Sequence, residues 1–436
     1  MKKVLIITYY WPPGSAPGVH RYLKLSKYLL SYGWQPVILT VKNGSYPARD
    51  DSLLEEIPSE IHTYRTKTIE PFGLFNFFRG KRSSGAFIGM MGLQTKKKSP
   101  LIRISLYIRA NWFIPDARKC WNLFAVKKVR EIIKKENIKA IITAGPPHST
   151  HLVGLKIYRK YKLPWIADFR DPWINLYYNE FLPRTKKSQR KDKILEDRIV
   201  GKADLITVVS PGLEKEFSGR ANDIQVVYNG FDNSDWDSVP AAQTNNFIIS
   251  YTGNFKPRQN IQALWTALKE LREENENVKQ SLKIHCVGNI DPFVIQNIKT
   301  FGLDNCFCEE SFIPHNKAVE KMINSNMLLF IIPDTANQQQ IITSKIFEYI
   351  ASKSPILPIG PLDGDAAKIL SEAGRDLMIA YEDTFSIKKL IMKYFLDWEQ
   401  NNHHLFKHKE TDISRFSREY SAKQLGSYMN NITNTN

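Results

Sequence analysis

Short runs of branched apolar residues, each closed by a glycine- or proline-containing loop and followed by an amphipathic segment, recur along this chain and begin again in its second half. Residues 4–8 lead into the loop YYWPPGSAPG (9–18), an amphipathic stretch over 19–32 and a second apolar run over 36–41. The order returns with an apolar run at 247–251, the loop TGNFKPRQN (252–260), an amphipathic stretch at 261–273 and another apolar run at 282–287. Strands buried on both faces read as continuous apolar runs, and their alternation with helices predicts parallel sheets covered by helices. A chain of 436 residues is too long for one ordinary core. The expected fold class is therefore α/β, with two Rossmann-like doubly wound domains. The polar run 233–246 is the expected linker between an N-terminal domain over 1–232 and a C-terminal domain over 247–414.

The stretch QQQIITSKIFEYIASKSPILPIG (338–360) is expected to form a short helix capped by Thr343 or Ser344, stopped at Ser354-Pro355 and followed by a strand over 356–359. The free N–H groups and positive dipole end of a helix start favour an anion such as phosphate, near Thr343 to Lys345. Glu348, about one turn further on, offers a carboxylate to a ribose diol. An ordinary crossover helix with a solvated glutamate fits the same pattern.

Three loops fall at predicted strand ends, where open α/β sheets bind ligands. The GPPHSTH loop (145–151) carries His148, and the DFRDPW loop (168–173) carries Asp168, Arg170 and Asp171. Together they read as one wall of a site, or separately as a structural histidine and an ion-pair network. In the third, Gly253 frees the backbone while Lys256 or Arg258 can neutralise a diphosphate. Gly14 and Gly18 allow close backbone approach to a ligand, or serve a tight turn. Asp363-Gly-Asp365 imitates a metal-binding Asp-x-Asp, but its place before AAKIL reads as a helix N-cap, and no metal is expected.

The net charge of +17 is concentrated, because residues 79–139 hold 16 Lys and Arg against 3 Asp and Glu. Aromatic residues from Phe72 onward, Lys96, Lys97, Lys98 and a mixed apolar-basic segment over 101–114 suit an anionic membrane surface. A mobile loop followed by a core helix with a solvated basic face fits equally well. No nucleic-acid-binding motif accompanies the charge, so nucleic acid is not an expected partner. The four cysteines lack disulfide or zinc spacing, and no apolar run approaches a membrane span. A cytoplasmic protein, peripheral on the inner face of the cell membrane, is the expectation.

The run KIFEYIASKSPIL resembles the donor-site segment "LFEYLASGKPIL" of the retaining GT-B glycosyltransferases of family 4. YYWPPGSAPGVHRYLKLSKYL, GPPHSTH, DFRDPW and the NGFD turn at 229–232 resemble blocks of the same family in the same order. The resemblance implies that the two domains face a cleft, and it implies a metal-independent glycosyltransferase (EC 2.4 type) that uses a nucleotide-sugar as co-substrate and no other cofactor. It implies transfer with retention to a glycan or polyprenyl-diphosphate-linked acceptor in surface polysaccharide or O-antigen assembly, with residues 415–436 returning to the first domain. The family's two glutamates stand eight positions apart; Glu348 matches the ribose-holding second, while Gln340 occupies the place of the first, which touches the donor sugar. The GN…R loop implies a phosphate contact for Gly253 and Arg258, although the family's usual lysine a few residues later is missing. A nucleotide-sugar epimerase of the same fold and a non-catalytic membrane or nucleic-acid binding protein are the alternatives.

Overall fold

The computed structural model describes residues 1–46, 48–69, 100–176, 179, 182–236, 244–311, 313–409 and 411–434. Half of the expected linker, Phe312 and the aromatic and triple-lysine stretches lie outside these residues. The chain divides into two compact units, one of Met1–Tyr228 with Arg418–Asn436 and one of Asn229–Ser417.

The first unit holds a seven-stranded sheet in the order β3-β2-β1-β4-β5-β6-β7. Its strands are β1 (Lys2–Ile7), β2 (Trp34–Val41), β3 (His62–Thr66), β4 (Ile138–Gly145), β5 (Trp165–Phe169), β6 (Leu205–Val208) and β7 (Ile224–Val226), all paired in parallel. Helices α1 (Pro17–Leu29), α2 (Pro100–Trp112), α3 (Trp121–Lys135), α4 (Ser149–Tyr161), α5 (Lys186–Val200) and α6 (Pro211–Phe217) connect them. Alternation along a strand sends successive side chains to opposite faces. In β1, Leu5 and Ile7 enter a core with Trp121 and Trp165, whereas Val4 and Ile6 enter one with Trp34, Leu425 and Met429.

The second unit holds a five-stranded parallel sheet in the order β10-β9-β8-β11-β12. The strands are β8 (Phe247–Thr252), β9 (Leu282–Val287), β10 (Phe307–Glu310), β11 (Met327–Ile331) and β12 (Ile356–Ile359). Their helices are α7 (Gln262–Glu274), α8 (Glu276–Ser281), α9 (Pro292–Thr300), α10 (His315–Ile323), α11 (Lys345–Ala351), α12 (Asp365–Glu372) and α13 (Thr384–Gln400). The last helix, α14 (Arg418–Asn434), packs on α1 in the first unit. In each sheet the chain direction of strand addition reverses once, between β1 and β4 and between β8 and β11. Loops leaving those strand pairs bound the crevice where doubly wound sheets seat ligands.

Two local expectations are corrected. Ser344 occupies the N-cap of α11 with helical backbone and makes no side-chain cap bond, and the buried Thr343 hydroxyl has no partner among the described residues. Neither residue caps, because the chain enters α11 already helical at Ser344, so no extended residue presents its oxygen to the first turn. At α12 the N-cap is Gly364; Asp365 lies inside the first turn, and Asp363 accepts hydrogen bonds from Gln339 instead.

Candidate functional site

In the first unit the loops after β4 and β5 do come together. His148 stacks on Trp173 with ring centroids 5.1 Å apart and 9° between planes, and its Nε2 lies 3.1 Å from the Pro172 carbonyl oxygen. Burial and the nearby Arg170 charge hold His148 down to about 3, so its imidazole is neutral near pH 7. Its Nδ1 is buried without a partner among the described residues. A cavity of about 90 Å³ adjoins it, lined by Asp116, Pro146, Pro147, Trp173 and Arg184 among others. His151 is also buried and pushed well down, with Nδ1 2.8 Å from the Thr143 hydroxyl.

Asp168 occupies a different environment. Its carboxylate is 2% exposed and accepts hydrogen bonds from Arg21, Tyr22 and Thr207 at 2.6–3.2 Å. Arg170, one position beyond β5, donates to the Pro146 carbonyl at 2.7 Å and lies against Gly18 in the first turn of α1. A Cβ on Gly18 would stand 2.0 Å from Arg170 Nη1. Gly14 forms a bridge with Arg49, and a Cβ there would meet the Tyr46 ring at 2.6 Å. Close packing explains both glycines, at normal negative φ for each. Asp171 is exposed.

In the second unit the loop after β8 meets the start of α11. Tyr349 OH lies 3.1 Å from the Thr252 amide and accepts its hydrogen. Gly253 follows at φ 106°, and Gly288, at the end of β9, has φ 123°. A Cβ on Gly288 would stand 2.5 Å from the Gly253 carbonyl oxygen, so this approach of two backbones requires glycine. Lys345 Nζ sits 3.8 Å from the centroid of the Tyr251 ring. Glu348 Oε1 accepts from His315 Nε2 at 3.2 Å, and Asp235 stands 3.9 Å from the other ring nitrogen. Arg258 is exposed and donates to the Asp334 carbonyl at 3.0 Å. Lys256 is exposed on the same loop. Gln340 is exposed at the end of a 3-10 turn, with its amide donating to Asn337.

These residues place a cationic, glycine-opened loop and a partly buried carboxylate at the C-terminal edge of β8, beside the reversal point of the sheet. Residues 93–235 match the family model described as Glycosyltransferase Family 4. A sucrose-phosphate synthase from Thermosynechococcus elongatus superposes with a TM-score of 0.64 at 14% identity, covering 100% of both chains. The chain has the GT-B fold, and its residues 93–235 are similar to glycosyltransferase family 4.

This GT-B chain also superposes on a mutant of S. aureus TarM in complex with fondaparinux, alpha-GlcNAc-glycerol and UDP, with a TM-score of 0.60 at 10% identity over 99% of this chain and 100% of that one. A putative UDP-N-acetylglucosamine 2-epimerase from Listeria monocytogenes gives 0.54 at 12% identity, over 100% and 98%. No curated protein sequence matches. Transferases and an epimerase thus share the fold, and side chains must separate them.

The sequence located the loops but missed several partners. Arg21 and Tyr22 fall within a block that carries the resemblance and Tyr251 within the apolar run 247–251, but only the folded chain brings them to Asp168 and Lys345. His315 lies outside every block that carries the resemblance. Its charged neighbour Glu348 is 33 positions away, beyond the reach of any local pattern.

Proposed function

We propose that the chain is a glycosyltransferase that takes a sugar from a nucleotide-sugar and passes it, with retained anomeric configuration, to a glycan or a polyprenyl-diphosphate-linked acceptor in surface polysaccharide assembly. The observation that carries this reading is the meeting of the Gly253 loop with α11, the helix that carries Glu348, at the C-terminal edge of β8 within the second unit. A carboxylate held in place by His315 is suited to accept hydrogen bonds from the two hydroxyls of a ribose. Gly253 and Gly288 expose backbone to the diphosphate, while Lys256 and Arg258 contribute charge on the same loop. The UDP bound in TarM supports a nucleoside diphosphate as the donor's handle.

As the glycosidic bond to the diphosphate breaks, negative charge grows on the departing oxygen. Arg258 and its neighbours meet that charge without a metal, and stabilisation that strengthens along the bond cleavage accelerates transfer. In the first unit, neutral His148 offers an unpaired ring nitrogen beside the cavity, a hydrogen-bonding group rather than a strong base at neutral pH. Arg170 and Asp171 flank it; Asp168 supports the loop from the interior.

An anionic membrane surface is part of the same proposal. On α2 the side chains of Ile104, Tyr107, Ile108 and Trp112 are exposed, at 57%, 47%, 37% and 70%. Their spacing puts them on one helical face, within the basic segment 79–139. No helix among the described residues is long and apolar enough to cross a membrane, so a cytoplasmic, peripheral attachment is the form proposed.

Incubation with a panel of nucleotide-sugars, with and without membrane lipid extract, tests the reading. Sugar transfer or slow donor hydrolysis supports it. An isomerised sugar without any acceptor establishes the epimerase, and inertness toward every donor establishes a non-catalytic protein.

A further inference from the structure

Lys345 is the unusual residue of the second unit. No carboxylate or carbonyl oxygen among the described residues takes a hydrogen bond from its ammonium, whose one partner is the face of Tyr251 at 3.8 Å. The ring beneath it is fixed, because Tyr251 is 1% exposed and its hydroxyl donates to the Asn254 carbonyl at 2.8 Å. The same hydroxyl lies 3.2 Å from Gln259 Oε1, and the ring stacks on Phe255 at 4.4 Å. Gly253 makes the path for the lysine: a Cβ there would stand 2.8 Å from Lys345 Cε and 3.2 Å from Nζ.

Lys345 is half-buried, and an ammonium drawn partly out of water with no anion to pair with it is costly unless an anion arrives. The ring face holds the cation electrostatically and leaves its hydrogens available for an oxygen ligand. We propose that the Lys345 ammonium, reaching from α11 to Gly253, binds the diphosphate of the nucleotide donor. This inference rests on the nucleotide-sugar reading and names the residue that meets the leaving group.

The surroundings agree with it. From the loop after β8, Lys256 repels the ammonium; from β9, the buried Cys286 faces it; on α11 itself, Glu348 attracts it. Tyr251 lies beneath, and both Tyr349 and the Cys286 thiol are pushed upward by burial, so both stay neutral. Burial, followed by Lys256, brings Lys345 down to about 7. A bound diphosphate restores its proton, so affinity for the anion falls as pH rises through that value. The terminal phosphate of UDP gains charge near pH 6, which works in the opposite direction and makes such a fall diagnostic.

Calorimetric titration of the whole chain with UDP and with uridine, for wild type, Lys345→Met and Lys345→Arg, tests the assignment. Wild type is expected to bind UDP more tightly than uridine, with the advantage shrinking between pH 6 and pH 8. Lys345→Met should lose about ten-fold or more of the UDP affinity while keeping that for uridine. Lys345→Arg should keep UDP binding and lose its decline with pH, a result that does not depend on the methionine variant folding. Equal UDP affinity in wild type and the methionine variant, or an undiminished decline with pH in the arginine variant, overturns the role of Lys345 and leaves the donor reading standing. Wild type that binds UDP no better than uridine, and GDP no better than guanosine, overturns both.

Discussion

Arg21 and Asp168, 147 positions apart in the chain, form a buried ion pair at 2.8 Å that ties α1 to the end of β5. Tyr22 and Thr207 complete the shell around the carboxylate, and Arg21 also donates to the Tyr228 carbonyl at 2.9 Å. Removing one partner leaves a buried charge uncompensated, at a cost of about 3–5 kcal/mol. Asp168→Ala should therefore lower the unfolding midpoint sharply in a denaturant titration. A variant of unchanged stability but lost turnover would instead assign Asp168 to the chemistry.

Gly18→Ala places a methyl group 2.0 Å from Arg170 Nη1. Either the guanidinium leaves the Pro146 carbonyl or α1 shifts, and overpacking of this kind costs roughly 1–3 kcal/mol. The expected result is a destabilised protein with reduced transfer. Adding Arg170→Ala to the variant should return much of the stability; failure of that rescue would show that the two residues do not press on each other.

Glu136 provides a pH signature. Hydrogen bonds from Lys3 at 2.6 Å and Tyr64 at 2.8 Å hold its carboxyl down to about 2. A depressed carboxyl contributes stability that is complete above its unfolded value near 4.3 and is lost as pH falls toward 2. The full shift corresponds to about 3 kcal/mol. Unfolding curves between pH 2 and pH 6 should steepen with acid in wild type and flatten in Glu136→Gln. Parallel profiles would remove Glu136 as the acid-sensitive group.

The exposed face of α2 makes the membrane proposal measurable. The protein should pellet with anionic liposomes at low salt and be released as salt rises, since each basic side chain near such a surface contributes about 1 kcal/mol before screening. Replacing Ile108 and Trp112 with Ser should weaken the binding without lowering stability. Binding to neutral and anionic vesicles alike would contradict the electrostatic part, and no binding at any salt concentration would contradict the whole.

How much of this was legible beforehand follows from the range of each interaction. The strands at 282–287 and 356–359 fall where their apolar runs are, because burial on both faces leaves a local imprint in the sequence. Capping of α11 did not follow the presence of Thr343 and Ser344, since a cap needs an extended backbone and Ser344 has φ −59° and ψ −23°. The Arg21–Asp168 pair, the Gly18–Arg170 contact and the seat of Lys345 over Tyr251 join distant segments. Their residues were individually visible, but what each one touches was not.

The central claim is that Glu348, held by His315, seats the ribose of a nucleotide donor. Titration calorimetry of UDP and GDP into wild type and Glu348→Gln tests it most directly. A neutral amide replaces a charge-assisted acceptor worth roughly 1.5–3 kcal/mol. The account predicts that wild type binds at least one of the two nucleotides and that the variant binds it about 10- to 150-fold more weakly. Unchanged affinity in the variant, or no binding of either nucleotide by wild type, would contradict it.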